Sequence, residues 1–63
     1  MSNSELAILF HLTEGKTSKE IARDVCLSKA TVDLRIRMLC QKLQARSRAQ
    51  LVAIAIQDGL INR

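Results

Sequence analysis

Basic side chains are the groups in this sequence whose number and placement could do chemistry. Ten lysines and arginines stand against six aspartates and glutamates among 63 residues, which gives a formal net charge of +4 and a pI near 9.7. An excess of this size favours polyanionic partners such as nucleic acids. The stretch from Thr17 to Leu43 has the pattern of a short helix, a tight turn and a longer helix with a polar, basic outer face. A polyanion is therefore expected to bind at this stretch.

Catalysis, metal binding and membrane insertion find little support in the other residues. His11 is the single histidine, and no serine, cysteine or carboxylate stands at a recognisable spacing from a catalytic partner, so no enzyme is predicted. Two cysteines and one histidine cannot supply a typical four-ligand zinc site, so no metal or cofactor is expected. Cys26 and Cys40 are interpreted as small buried residues in a reducing compartment. The apolar run from Leu6 to Phe10 is too short to span a bilayer and no signal peptide precedes it, so a cytoplasmic protein is expected.

Four helices are predicted to position the basic face. Proline is absent, glycine occurs only twice, and valine and isoleucine fall at helical spacing, which favours an all-α fold. The helix start and stop signals are the capping boxes Ser2–Glu5, Thr17–Glu20 and Ser47–Gln50, the N-cap Ser28, and the stops Gly15 and Gly59. They predict four helices in one domain, residues 1–63, at about 3–14, 18–25, 29–44 and 47–58.

The third predicted helix has one buried face and one free face. Val32, Ile36, Leu39 and Leu43 fall at i, i+4, i+7 and i+11, which places them on the buried side. The outer side is predicted to hold Ala30, Leu34, Arg37 and Gln41, with Asp33 at its edge and with Arg35 and Lys42 on one flank. Together with the second helix, and with the small Ala22 where the two would cross, this makes a helix-turn-helix. Its free face fits the DNA major groove, which is wide enough to admit an α-helix.

The first and last helices differ in how their apolar residues are arranged. In the first helix the residues predicted to face the core are Leu6, Leu9, Phe10 and Thr13, widened by Ile8 and Leu12. The last helix carries two stripes, one of Leu51, Ile54 and Ala55, the other of Ala49, Val52, Ala53 and Ile56. A surface helix needs only one apolar stripe. The second stripe is therefore predicted to contact a partner chain, most simply a second copy of this one.

A set of short segments spread along the chain carries a family resemblance. The segments are Glu5 with Ile8-Leu9, Gly15 to Ala22, Leu27-Ser28, Thr31-Val32, Lys42-Leu43, and Arg48 through Gly59-Leu60-Ile61. Together they make the chain resemble the LuxR-type (NarL/FixJ-like) helix-turn-helix DNA-binding domain, and the tail RSRAQLVAIAIQDGLI is similar to the quorum-sensing LuxR/TraR branch. The resemblance implies transcription regulation by a four-helix bundle whose third helix reads the major groove and whose fourth helix forms the dimer contact.

The resemblance also implies roles for single residues. The implied base-reading residues are Asp33, Leu34 and Arg37, and the implied phosphate contacts are Lys19, Lys29, Thr31 and Lys42. Arginine can donate two hydrogen bonds to guanine O6 and N7, and leucine suits a thymine methyl group. The chain departs from the family at Asp33, Arg35 and Met38, where a basic residue, a histidine and an asparagine are common. A carboxylate in the groove repels phosphates but can accept from cytosine N4, so Asp33 is expected to shift base preference or to weaken DNA binding.

Three functions are consistent with these patterns. The first is a transcription regulator that binds double-stranded DNA as a homodimer on a two-fold symmetric site. The second is an antiactivator-like interaction module, which would pair through the fourth helix with a longer LuxR-type regulator; Asp33 and the lack of a sensing domain motivate it. The third is a domain like region four of sigma factors, which would contact promoter DNA and RNA polymerase. The last helix, with its own capping box and second apolar stripe, counts against the third.

Overall fold

A computed structural model describes residues 1–61, which form four α-helices and no strand. The helices, in chain order, are α1 (Asn3–Thr13), α2 (Ser18–Val25), α3 (Lys29–Leu43) and α4 (Arg48–Gln57). The prediction of an all-α fold with four helices is confirmed, and each observed end lies within one residue of the predicted one. Among the described residues, no helix is both long enough and apolar enough to cross a membrane.

Reciprocal capping boxes start α1 and α2, as the sequence predicts. The Ser2 hydroxyl accepts from the Glu5 amide at 3.2 Å, and the Glu5 carboxylate accepts from the Ser2 amide at 3.0 Å. Thr17 and Glu20 repeat the arrangement at 3.2 Å and 2.8 Å. These backbone hydrogen bonds are the main reason that the pKa values of both glutamates are lowered. Two helix starts are therefore fixed by contacts between residues three apart.

The capping box predicted for α4 is wrong in one of its two bonds. The Ser47 hydroxyl accepts from the Gln50 amide at 3.0 Å, as expected of an N-cap. The Gln50 side chain, however, accepts from the amide of Arg46 at 2.6 Å. Ser47 has φ −155°, against −76° at Ser2 and Thr17. The backbone is thus more extended at the start of α4 than at the starts of α1 and α2, and the Gln50 side chain binds the amide of the residue before the N-cap.

Left-handed residues end the helices or follow their ends. Gly15 and Gly59 have φ +79° and +72°, consistent with their predicted role as stops. Cys26 and Gln44, the C-caps of α2 and α3, adopt similar angles without being glycine, with φ 60° and 57°. Cys26 is exposed and Cys40 is half-buried, so the prediction that both are buried is wrong. Cys26 is exposed because it lies on the turn that leaves α2, at the surface.

One hydrophobic cluster joins all four helices. Its members are Ile8, Leu9, Leu12, Ile21, Ala22, Val32, Ile36, Leu39, Leu51, Ala55 and Ile61. Leu60 and Ile61 fold back onto α4, where their amides donate to the carbonyl of Ala55. Phe10 contradicts the prediction, since 39% of it is exposed. Ile8 and Leu12 lie one turn apart and define the buried face of α1, and Phe10 lies on the far side of the helix from Leu12.

Packing within the cluster positions α3. The helix α2 packs most extensively on α3, as a helix-turn-helix requires, with the buried Ala22 and Ile21 on its inner face. Both α1 and α4 also contact α3, so that three helices hold it from behind. In the described part of the chain, α2 and α4 do not pack on each other directly. Any link between these two helices is therefore made by side chains.

Candidate nucleic-acid interface

The solvent-facing side of α3 forms an outer strip made of Ala30, Leu34, Arg37, Met38 and Gln41. It is exposed because Val32, Ile36 and Leu39 hold the opposite side in the core, at 0 to 4% exposure. The two large apolar members of the strip are open to solvent, with Leu34 48% and Met38 55% exposed. They lie one helical turn apart and are therefore neighbours on the helix surface. The strip thus combines two apolar side chains with one guanidinium group, that of Arg37.

On one side of the strip, an open basic groove lies between the start of α2 and the start of α3. Its lining residues are Lys16, Thr17, Ser18, Lys19, Lys29, Asp33, Ile36, Arg37 and Arg48. Five of these side chains are cationic and, among residues 1–61, Asp33 supplies the only carboxylate of the lining. Lys16 is itself paired with Asp24, at 2.8 Å, but positive charge still predominates in the lining, and a concave surface dominated by one sign of charge concentrates the electrostatic potential. The groove is therefore the part of the described surface best suited to a polyanion.

Asp33 is engaged with neighbouring donors on both of its oxygens. Its Oδ2 accepts from the Lys29 ammonium at 2.9 Å, and its Oδ1 accepts from the Arg48 guanidinium at 3.0 Å. The same Arg48 nitrogen donates to the Ser18 hydroxyl. Hydrogen bonding from Ser18 and then from Lys29 lowers the pKa of Asp33 to about 2. The carboxylate expected to repel DNA is thus neutralised within the domain by two cations.

The other side of the strip borders a second groove, between α3 and the start of α1. Its lining residues are Glu5, Thr31, Leu34, Arg35, Met38 and Lys42. The Lys42 ammonium lies 3.6 Å from the Glu5 carboxylate, and Arg35 donates to the Ser4 hydroxyl at 3.3 Å. Arg35 and Lys42 therefore share one flank of α3, as predicted from the sequence. The Glu5 carboxylate therefore offsets the positive charge of Lys42 in the free domain, whereas Arg35 contacts only a neutral hydroxyl group.

The predicted DNA contacts fall into two groups. Lys19, Lys29, Asp33 and Arg37 come together in the basic groove, and Thr31, Leu34 and Lys42 come together in the second groove. Within residues 1–61, Lys19 and Arg37 have neither a hydrogen-bond nor an ion-pair partner on their side chains. Lys29 is paired with Asp33, and the half-buried Thr31 accepts from the Ser28 hydroxyl at 2.8 Å. Arg37 is thus the exposed strip residue whose guanidinium is free to bind a partner.

The second apolar stripe of α4 is largely at the surface. Ala49 and Ala53 are exposed, and Ile56 is 43% exposed. Val52 differs from them, because it is half-buried and packs against the core of its own chain. Leu51 and Ala55 lie fully buried on the inner side of the helix. The two-faced pattern read from the sequence is therefore present, with Val52 at the boundary between the faces.

Sequence reasoning missed three residues of the interface. Met38 was noted as a departure from the family, although its spacing of four from Leu34 already placed it beside that residue. No local pattern in the sequence predicts the contacts of Ser18 and Arg48. Their contact spans 30 positions, and the contact of Arg48 with Asp33 spans 15. Only the pairing of Lys29 with Asp33, at i and i+4 on one helix, could have been read from spacing.

The α2–turn–α3 unit and the surface it carries define a helix-turn-helix protein with a basic groove beside α3. The model of the family described as "Bacterial regulatory proteins, luxR family" matches residues 1–55. The chain therefore belongs to the bacterial luxR family of regulatory proteins, and the resemblance described above is confirmed at that level.

Curated relatives agree with the family assignment. The chain is 34% identical over 61 residues to the transcriptional activator protein ExaE of Pseudomonas putida, covering 97% of this chain and 28% of that protein. It is 36% identical to the transcriptional regulatory protein YdfI of Bacillus subtilis, with 97% and 29% covered. It is 34% identical to the transcriptional regulatory protein LiaR of the same organism, with 98% of this chain and 29% of that protein covered. No solved structure matches the chain.

These comparisons support DNA-binding transcription regulation as the general role of the family to which the chain belongs. The chain spans about three-tenths of the length of these relatives. They are named as transcriptional regulators, and the similarity of the tail to the quorum-sensing branch stays a prediction.

Proposed function

We propose that residues 1–63 act in the cytoplasm as one domain that binds double-stranded DNA sequence-specifically, with α3 in a major groove. The observation that carries the proposal is the outer strip of α3, which presents an unpaired Arg37 and an exposed Leu34 beside the basic groove. The groove of B-DNA admits a helix of this kind, and its base edges carry the sequence information. The strip can therefore supply base contacts while the groove beside it supplies phosphate contacts.

The proposed roles follow from position on α3. Arg37 would donate two hydrogen bonds to a guanine, and Leu34 would contact a thymine methyl group. Phosphates would be bound by Lys19, Lys29 and Lys42, with Thr31 as a further hydroxyl donor, since phosphate contacts fix the register without reading sequence. Asp33 stands apart from this set. In the free domain its oxygens are held by Lys29 and Arg48, and it could accept from a cytosine only after leaving them.

We further propose a homodimer through α4, whose contact would be made by Ala49, Val52, Ala53 and Ile56. The support is the surface position of three of these residues, including the large Ile56. Small residues let two helices approach closely, and Ile56 would give the contact most of its apolar area. A two-fold dimer of this kind would bind a two-fold symmetric DNA site, because half-site symmetry mirrors protein symmetry.

A second candidate function is an interaction module that pairs through α4 with a longer LuxR-type regulator. The observation that favours it is the neutralisation of two groove cations by Asp33, which weakens the attraction of the groove for DNA. On this alternative the wild-type domain would not bind DNA by itself. A domain that contacts RNA polymerase in the manner of a sigma factor is a weaker alternative, because α4 follows α3 directly and offers its own apolar face.

The deciding experiment is a DNA selection with the wild-type domain, followed by titration of the selected duplex at ~50–200 mM salt. We expect an enriched two-fold symmetric site and an affinity that falls linearly with salt on logarithmic axes. Absence of salt-dependent binding to any duplex would eliminate the proposed function. Strong binding acquired only by Asp33→Lys, with none by wild type, would instead favour the interaction module.

A further inference from the structure

We propose that Ser18, Lys29 and Arg48 form a binding site for a DNA backbone phosphate, and that Asp33 occupies this site in the free domain as an internal anion. The assignment rests on the DNA binding proposed above and adds two residues, Ser18 and Arg48, to the phosphate-binding set. It also gives Asp33 a role other than base reading. The carboxylate competes with DNA for the cations that DNA needs, and so sets how tightly the domain binds any sequence.

The geometry supports an anion site because two cations bind one carboxylate and a hydroxyl group contacts one of those cations. The Lys29 ammonium and the Arg48 guanidinium each bind a different oxygen of Asp33, at 2.9 Å and 3.0 Å. The Ser18 hydroxyl accepts from Arg48, which leaves its own proton available to the anion. Guanidinium, ammonium and hydroxyl groups are the donors that proteins use for phosphate oxygens. A carboxylate in their midst marks where a phosphate oxygen would be bound.

The location of the site suits DNA that lies against α3. All four residues line the basic groove, together with Lys16, Lys19 and Arg37. The side chains of Lys29 and Arg48 are 63% and 45% exposed, so a phosphate can reach both from solvent. Ser18 is only 5% exposed and borders the same groove from its wall, so it would add a hydroxyl contact to a phosphate held by the two cations. Because Arg37 borders the same groove, a duplex whose bases meet Arg37 brings one backbone past the site.

Competition follows from the charges. A cation that is already paired with a carboxylate gains less from a phosphate, because the pair must separate before the phosphate is bound. Each phosphate that a protein neutralises steepens the fall of log affinity with log salt by ~0.9. Removing the charge of Asp33 should therefore make Lys29 and Arg48 available, raise the affinity for all duplexes and steepen the salt dependence. Base preference at the position read by Arg37 should not change.

Asp33→Asn is the test variant, because asparagine keeps the shape and one acceptor oxygen. Asp58→Asn is the matched control: it changes the net charge equally, and Asp58 caps α4 outside both grooves. The selected duplex and an unrelated duplex are titrated with each protein at ~50–200 mM salt. We expect Asp33→Asn to bind both duplexes about tenfold more tightly at ~100 mM salt, with a salt slope steeper by ~1–2. Asp58→Asn should change affinity less than about twofold, as expected for a screened distant charge.

Arg48→Ala is made both in the wild-type domain and in the Asp33→Asn variant. The comparison tests whether Arg48 is a cation that Asp33 keeps from binding a phosphate. Arg48→Ala should cost little affinity in wild type and should remove much of the gain in Asp33→Asn. An Asp33→Asn variant that binds no more tightly than Asp58→Asn would overturn the inference while leaving the proposed function intact. Equal effects of Arg48→Ala in the two backgrounds would also overturn it. Failure of wild type and of every variant to bind any duplex would remove the proposed function, and the phosphate site with it.

A measurement on the wild-type domain keeps the test independent of whether the variants fold. The ¹³Cγ resonance of Asp33 and the side-chain nitrogen resonances of Lys29 and Arg48 are followed as the selected duplex is added. Exchange of the carboxylate for a phosphate should shift all three sets of signals together and in proportion to saturation. Signals that stay unchanged in a saturated complex would contradict the exchange.

Discussion

The Arg48 guanidinium lies 3.0 Å from the Asp33 carboxylate and also donates to the Ser18 hydroxyl. These three residues belong to α4, α3 and α2, and the pair α2–α4 has no direct packing in the described chain. One side chain therefore connects the two helices that flank the recognition helix on this side. The same contact places an anion against cations of the basic groove, so the helix junction and the proposed DNA face share residues.

Ser18→Ala should raise the pKa of Asp33 from about 2 toward its ordinary value of 3.8, because Ser18 is the largest contributor to the lowering. Arg48→Ala should also raise it, because the Arg48 guanidinium binds the same carboxylate at 3.0 Å. The midpoint is read from the ¹³Cγ shift of Asp33 during an acid titration. Ser4→Ala is the control, since Ser4 bonds Arg35 on the other flank of α3. An unchanged midpoint in Ser18→Ala would contradict the network described here.

The lowered pKa of Asp33 also has a consequence for stability. Folding favours the ionised carboxylate, so the stability that it contributes is complete above its ordinary pKa of 3.8 and is lost as pH falls through about 2. Wild type should therefore lose stability more steeply than Asp33→Asn between about pH 4 and pH 2. Chemical unfolding at a series of pH values measures the two slopes. Parallel curves would show that the Asp33 contacts add no stability.

Arg37→Ala should weaken binding to the selected duplex by ~1–3 kcal/mol and relax the preference at one base pair. The physical reason is the loss of a bidentate donor from the exposed strip of α3. Lys19→Ala should differ in kind, weakening all duplexes alike and reducing the salt slope by ~1. Arg23→Ala is the matched control, because Arg23 is exposed on α2 and lines neither groove. Repeating the DNA selection and the salt titration with each variant measures both effects. An unaltered base preference in Arg37→Ala would show that Arg37 does not read a base.

Leu34 and Met38 should make binding sensitive to thymine methyl groups, because both apolar side chains are exposed on the strip. Replacing thymines of the selected site by uracil, one at a time, should cost about 0.8 kcal/mol wherever a methyl group becomes buried. Leu34→Ala and Met38→Ala should each abolish the sensitivity at one position, while Gln41→Ala should leave it unchanged. The uracil series is measured by equilibrium titration. Equal affinities for thymine and uracil duplexes throughout would show that these side chains face no methyl group.

Ile56→Glu should convert a dimer into a monomer while leaving the fold intact, because Ile56 is 43% exposed and the change places a charge in the proposed contact. Gln57→Glu adds the same charge at the next position and should leave the dimer in place. Sedimentation equilibrium over a range of concentrations measures association, and chemical unfolding measures stability. A wild-type domain that stays monomeric at every concentration would refute the α4 homodimer.

Leu51→Ala, at a fully buried position on the other side of α4, should by contrast cost about 2–5 kcal/mol of stability.

Local signals accounted for much of the fold and for part of the candidate interface. Ser2, Thr17 and Ser28 each cap a helix through a contact with a residue three positions on, so the sequence near each cap was sufficient to place it. The period of Val32, Ile36 and Leu39 likewise determined which side of α3 is buried, and hence that Arg37 and Leu34 are exposed. Lys29 and Asp33 pair within one helix. Each of these features depends on neighbours within a helical turn or two.

By itself, then, the sequence determined four helices, the residues that cap them, the exposed side of α3 and the luxR-family pattern, because helical periodicity and capping act over three or four residues. Tertiary structure alone decided the contacts of Arg48, since Asp33 and Ser18 approach it only when three helices assemble. It also decided that Phe10 faces solvent, because the width of the buried face of α1 depends on the helices packed against it. Contacts between residues distant in the chain depend on the packing angles and separations of whole helices, which no local spacing encodes.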